Sequence, residues 1–360
     1  MNLRAWFEQT RTDFGRREDR DRLRLPAAYH EAYQYRETDP DRSVAILTEA
    51  RDLARRYDEP WWEVFHDAAR ISALIHYKRD CRNVIDLATR CALEIRKPSF
   101  AQFPGRVRVL DALLCAYLFC DADGYGEAIR DALDQMEREL GDRVDDDRFL
   151  FHARKRMVAI ENEQWDEAHG LGMREIDLIG QNRDLPGILD YALFAWCALC
   201  QIAFRRKNWV HLADFVAKGE ATAVRCGHRC EEAELNAWNA VADRYAGREE
   251  KGRAELDRAE ATIRSLRMPP KPGFFDAVAA YWELGHQTHE ELQVRDRELG
   301  VLADRQRYLQ EFRVRAERCR LLRKLNRPHD EDVERTRESA RRLRFPEKHL
   351  REIDGLQPVG

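Results

Sequence analysis

Four cysteines and one histidine are spaced as metal ligands often are. Cys197 and Cys200 stand three residues apart, and Cys226 and Cys230 stand four apart with His228 between them. Four thiolates at such spacing can hold zinc tetrahedrally. Helix geometry argues against that use. Cys200 and Cys197 precede a turn at Asn208 by 8 and 11 residues, whereas Cys226 follows it by 18. In an antiparallel hairpin that mismatch is roughly 10–15 Å at helical rise. The expectation is no metal, with these thiols serving as core and helix-end residues. His286 and His289, followed by Glu290 and Glu291, suggest a second metal or acid–base cluster. A zinc-protease helix needs glutamate directly after its first histidine and another histidine four residues on. Gln287 follows His286, so the segment reads as a solvated turn. No glycine-rich phosphate loop and no Gly-x-Ser-x-Gly elbow occurs, and each would need a strand-to-helix junction. The expectation is a protein that is not an enzyme and carries no cofactor.

Two charge blocks stand apart. Asp121 to Arg148 holds eleven acids and four arginines, and Arg305 to Arg327 holds nine bases and two acids. Either block can be a solvated helix face. The second, with Arg313, Arg315, Arg318, Arg320 and Arg323, can also meet an acidic partner. A net charge of −4 over 360 residues gives no general attraction to nucleic acid or membrane surfaces. Met1 to Glu8 lacks the apolar run of a secretory signal. The longest uncharged run, Tyr191 to Phe204, is short for a bilayer span and fits a buried helix. Nine scattered cysteines do not read as a disulfide framework in a chain this long. The chain is expected to be soluble and cytoplasmic.

The elements that must position these residues are helices. Asp39-Pro40, Glu59-Pro60, Lys97-Pro98, Leu185-Pro186, Pro269-Pro270 and Arg327-Pro328 punctuate the chain. Between them apolar residues recur at i, i+3, i+4 and i+7, which is helical spacing. Sustained period-two alternation is absent, so no strands are predicted. The helices recur in pairs. An aromatic stands three residues before the position that opens the second helix, as with Tyr125 and Ala128, Trp165 and Ala168, and Trp209 and Leu212. That position recurs as Ala45, Ile85, Ala128, Ala168, Leu212, Ala254, Leu292 and Val333, in steps of 40, 43, 40, 44, 42, 38 and 41 residues. Twelve residues earlier, in the first helices, stand Ala73, Ala116, Arg156, Cys200, Ala242 and Ala280, five of them small. Seven residues later Ala92, Gly219, Ala261 and Ala340 are small, while Asp52, Gln135, Glu175 and Leu299 are not.

This pattern resembles the tetratricopeptide repeat family in a long variant of about 40 residues. Ser43 to Arg55 looks like the family's second helix, and Cys91-Ala92-Leu93-Glu94-Ile95 before Pro98 looks like its close. The resemblance covers roughly residues 27–345. It implies an all-α, right-handed superhelical solenoid of about eight antiparallel helix pairs. Residues 1–26 would form an N-terminal helical cap and 346–360 a C-terminal tail. One hairpin cannot bury its own apolar face, so stacking makes the core. In such arrays the first helices line a concave groove. Projected onto them, groove positions hold Arg70, Tyr77, Lys78, Tyr117, Gln201, Arg205, Asn236, Asn239, Asp243 and Tyr281. The resemblance implies that Gln201, Arg205, Asn236, Asn239 and Asp243 grip a protein or peptide partner. The paired lysines of chaperone-tail binders are missing. Arg315, Arg318 and Arg323 form the second candidate surface. The function expected is that of an adaptor or scaffold of bacterial type. Two alternatives stand beside it: the sensory arm of a bacterial regulator, and nucleic-acid binding through the basic block.

Overall fold

The computed structural model describes residues 2–354 except 18, 186 and 304. The described residues are all-α, without a strand. Eight helix pairs follow one another: α2 (Arg24–Gln34) with α3 (Pro40–Arg56), α4 (Pro60–Ala73) with α5 (Val84–Glu94), α6 (Arg106–Asp121) with α7 (Gly126–Leu140), and α8 (Asp146–Glu161) with α9 (Trp165–Gln181). They continue as α10 (Ile188–Arg205) with α11 (Trp209–Cys226), α12 (Arg229–Tyr245) with α13 (Glu249–Ser265), α14 (Pro272–Leu284) with α15 (Thr288–Leu302), and α16 (Tyr308–Lys324) with α17 (Asp330–Arg341). A single helix, α1 (Leu3–Arg16), precedes them, and α18 (Pro346–Asp354) follows. Residues 355–360 of the expected tail lie outside the described residues.

The helix ends follow local chemistry. Pro40, Pro60 and Pro272 each occupy a first turn, where a missing N–H costs nothing and the fixed φ suits the helix. Asp39 caps α3 by accepting from the Arg42 N–H at 3.1 Å, and Asn208 caps α11 by accepting from the His211 N–H at 3.2 Å. Gly227, with φ +70°, ends α11 in the left-handed conformation. Among the described residues one helix, α10, is long and apolar enough to cross a membrane. Much of it is core here: Leu193, Leu199, Cys200 and Ile202 are fully buried.

Burial sets the repeat register, and it corrects the sequence marks. The buried opening positions are Ser43, Val84, Ile129, Ala168, Leu212, Gly252, Leu292 and Val333, in steps of 41, 45, 39, 44, 40, 40 and 41 residues. Ala45 and Ala254 are exposed, and Ile85 and Ala128 are half-buried. Ala128, Ala168 and Ala254 are therefore not equivalent. The marks followed the nearest small residue, but the helix starts vary against that spacing. In α13 the position belongs to Gly252, where an added Cβ would lie 2.9 Å from the Ala240 carbonyl oxygen.

Two departures from the small-residue rule explain each other. Arg156 on α8 and Glu175 on α9 are both buried, and the Arg156 Nε donates to Glu175 Oε2 at 2.9 Å. A bulky ion pair fills the space that two small side chains leave elsewhere.

The chain forms two compact units. Unit 1 comprises Met1–Cys120, Tyr125–Phe151 and Arg267–Pro269, and unit 2 comprises Asp121–Gly124, His152–Leu266 and Pro270–Gly360.

Candidate functional site

Unit 1 contains a pocket of about 70 Å³ among three first helices. Helix α4 supplies Phe65, Ala68, Ala69, Ser72 and Ala73, which at spacing i, i+3, i+4, i+7 and i+8 form one face. Four of these five are small, and that makes the hollow. Helix α2 contributes Tyr29, Ala32 and Tyr33, and α6 contributes Arg108 and Asp111. Behind them α3 presents Ser43 and Leu47.

The helical path beyond α4 is irregular. After α4 the chain makes a π-helical segment, Leu74–Lys78, closed by Arg79 at φ +56°. Such segments recur at functional sites because the wider turn re-aims one side chain. Here the segment brings Tyr77 to the pocket. Lys78 pairs with Asp41 at 2.6 Å, which ties the segment to the start of α3.

Polar groups are held in place around this hollow. The Arg108 Nε donates to Asp147 Oδ1 at 2.7 Å. Burial pushes the Asp147 carboxyl up, and Arg108 and Arg143 offset part of that. The Arg36 guanidinium lies 4.0 Å from the Tyr33 ring centroid and covers one face of it. Ser43 is only 1% exposed, and among the described residues its Oγ has no hydrogen-bond partner. An unsatisfied buried hydroxyl costs about 1–3 kcal/mol, so a ligand atom that bonds it gains an interaction the free protein lacks.

Comparison with family models and with curated proteins gives no match to this chain. The site must be read from its own chemistry.

Of the groove positions projected from sequence, Tyr77 alone lines this pocket. Arg70 pairs with Asp67 at 3.3 Å, and Tyr117 stacks on Tyr125 with centroids 4.6 Å apart. Tyr281 is buried beneath Arg244. In unit 2 the expected groove cluster is divided. The Gln201 Nε2 donates to Asp276 Oδ2 at 3.0 Å, and Arg205 and Arg295 approach the same carboxylate at 3.9 and 3.5 Å. Helices α10 and α14 thus meet each other as well as α12, and α12 is enclosed. Asn236 and Asp243 are buried on it. Asp243 receives Arg248 Nη2 at 2.6 Å and Lys251 Nζ at 3.1 Å, which staples the α12–α13 turn. Asn239 donates to Glu220 Oε1 at 3.0 Å.

The basic block is extensively paired. Arg313 donates to Glu161 at 2.6 Å, Arg315 to Glu311 at 2.9 Å, and Arg320 to Glu317 at 2.8 Å. Arg318 bridges Asp296, at 2.6 Å, and Asp332. Arg323 is exposed on the last turn of α16.

No three of Cys197, Cys200, Cys226 and Cys230 lie within mutual ligand distance. Cys197 and Cys200 are buried, and burial pushes both thiols well above their ordinary range. Melting curves with and without a strong chelator are expected to coincide. Stoichiometric zinc whose removal lowers the melting temperature would contradict this placement.

The sequence reading missed Ser43, Ser72 and the paired tyrosines of α2 as site residues. Ala68, Ala69, Ser72 and Ala73 together were a usable signal, because they leave one helix face without bulk.

Proposed function

We propose that this chain is a helical-repeat binding protein of the tetratricopeptide kind, and that unit 1 holds a peptide of a partner protein by one inserted side chain. The pocket between α2, α4 and α6 carries this reading. Its helices are the first members of their pairs, the members that face the groove in arrays of this kind. The volume of about 70 Å³ is several times that needed for one water and about half that of a cavity that takes benzene. It suits a side chain of about three to five heavy atoms. The small face of α4 with the Ser43 hydroxyl behind it favours an aliphatic body ending in a hydrogen-bonding atom, as in threonine or asparagine. As an adaptor, the protein would act in the cytoplasm and without a cofactor.

A display selection of random peptides tests this. Peptides enriched on the wild-type protein should share one short polar–aliphatic residue. Ser43→Leu fills the pocket and removes the unsatisfied hydroxyl, so it should retain the fold. It is expected to weaken the selected peptides at least tenfold. Equal binding by wild type and Ser43→Leu would remove the pocket from the account. The paired arginines of α16 favour the peptide reading over nucleic acid, for which affinity would fall steeply with salt.

A further inference from the structure

A second cavity in unit 1, about 380 Å³ in volume, lies between α1 and the start of α4. Its aromatic part is rigid. Trp6 and Trp62 stack with centroids 4.1 Å apart. Trp61 is half-buried, and its indole N–H donates to the Ser99 carbonyl at 3.0 Å, which fixes the ring. The other side of the cleft is α1 and its C-terminal cap, from which Thr10, Asp13 and Arg17 line it at helical spacing.

Among the described residues none of these three polar groups is tied by a short side-chain contact. Asp13 and Arg17 are i, i+4 neighbours of opposite charge, yet among the described residues neither makes an ion pair. Thr10 is only 8% exposed, and among the described residues its hydroxyl makes no hydrogen bond. Glu59, at the opposite rim, is engaged by Arg22 at 3.1 Å and also attracts the exposed Arg17, so a ligand carboxylate would compete with it.

We propose that this cleft binds a free amino acid with a large apolar or aromatic side chain. The ammonium would meet Asp13, the carboxylate would meet Arg17 and the Thr10 hydroxyl, and the side chain would lie against Trp61. The volume is at the lower end of the range for small-molecule sites. Two opposite charges about one helical turn apart match a ligand that carries both of its charges on one carbon. A peptide terminus offers one charge only and satisfies one of the two residues.

Titration calorimetry with L-phenylalanine tests the assignment on the full chain. Saturable binding is expected, with loss of at least tenfold in affinity in Asp13→Asn and in Arg17→Gln. Phenethylamine, which lacks the carboxylate, and 3-phenylpropionate, which lacks the ammonium, should each bind at least tenfold more weakly. Quenching of indole fluorescence on binding should disappear in Trp61→Phe. The proposal is overturned if L-phenylalanine shows no saturable binding at millimolar concentration. It is equally overturned if N-acetyl-phenylalanine amide binds as well as the free amino acid, since the charges would then be idle. The ligand analogues keep the test independent of any variant's folding.

Discussion

Replacing Glu175 by leucine is expected to destabilise the protein by about 3–5 kcal/mol, the cost of leaving a buried charge without its partner. Arg156 is enclosed, and its guanidinium cannot shed its proton at any ordinary pH. The reciprocal change, Arg156→Met, should cost less. Burial already pushes the Glu175 carboxyl up, so once Arg156 is gone it can take a proton and become neutral. That asymmetry should widen at low pH, where protonating Glu175 is easier. The double variant Arg156→Met, Glu175→Leu should return to within about 1–2 kcal/mol of wild type or exceed it, because a packed apolar pair avoids both desolvation penalties. Urea unfolding of the four proteins at pH 7 closes the cycle. Additive effects of the two single changes would show that the pair is not coupled.

Acid should weaken the protein through His66. This side chain of α4 is fully buried against Trp62, with ring centroids 5.5 Å apart. Burial pushes its pKa from 6.5 down to about 3, and the Leu25 backbone offsets only part of that. The folded protein therefore keeps His66 neutral where the unfolded chain protonates it. The associated stability is fully present above pH 6.5. It is lost as pH falls towards 3, at about 1.4 kcal/mol per pH unit. Relative to His66→Phe, the wild type should lose about 2–3 kcal/mol between pH 7.5 and 4.5. Carboxylates titrate in both proteins, so the difference isolates the histidine. Parallel stability–pH curves for the two proteins would place His66 in contact with water.

The helix pairs were legible because their signals are local. Prolines sit in first turns, apolar residues repeat at helical spacing, and a turn aromatic recurs at intervals near 40 residues. The register within each pair was less legible. Ala254 was marked where Gly252 carries the close contact, since either small residue fits a spacing rule and only burial separates them. Arg156 and Glu175 were each visible as exceptions, but their pairing needs the distance between two helices. Two of the groove positions, Asn236 and Asp243, are buried, and that burial was hidden for a related reason. Asn236 and Asp243 face outward only if neighbouring first helices splay apart. In unit 2, α10 and α14 close over α12 instead, and no local spacing encodes that curvature. The pocket of unit 1 was hidden because the small residues that leave a hollow, Ala68, Ala69, Ser72 and Ala73, are the same types that elsewhere allow close packing.

The most direct test of the binding role is photocrosslinking with a peptide taken from the display selection, its conserved short residue replaced by photo-leucine. Insertion into the pocket predicts that protease fragments carrying the label contain Tyr29 to Tyr33 or Phe65 to Tyr77, and that Ser43→Leu abolishes the labelling. Label recovered chiefly from unit 2, or labelling of unit 1 that survives Ser43→Leu unchanged, would contradict the account.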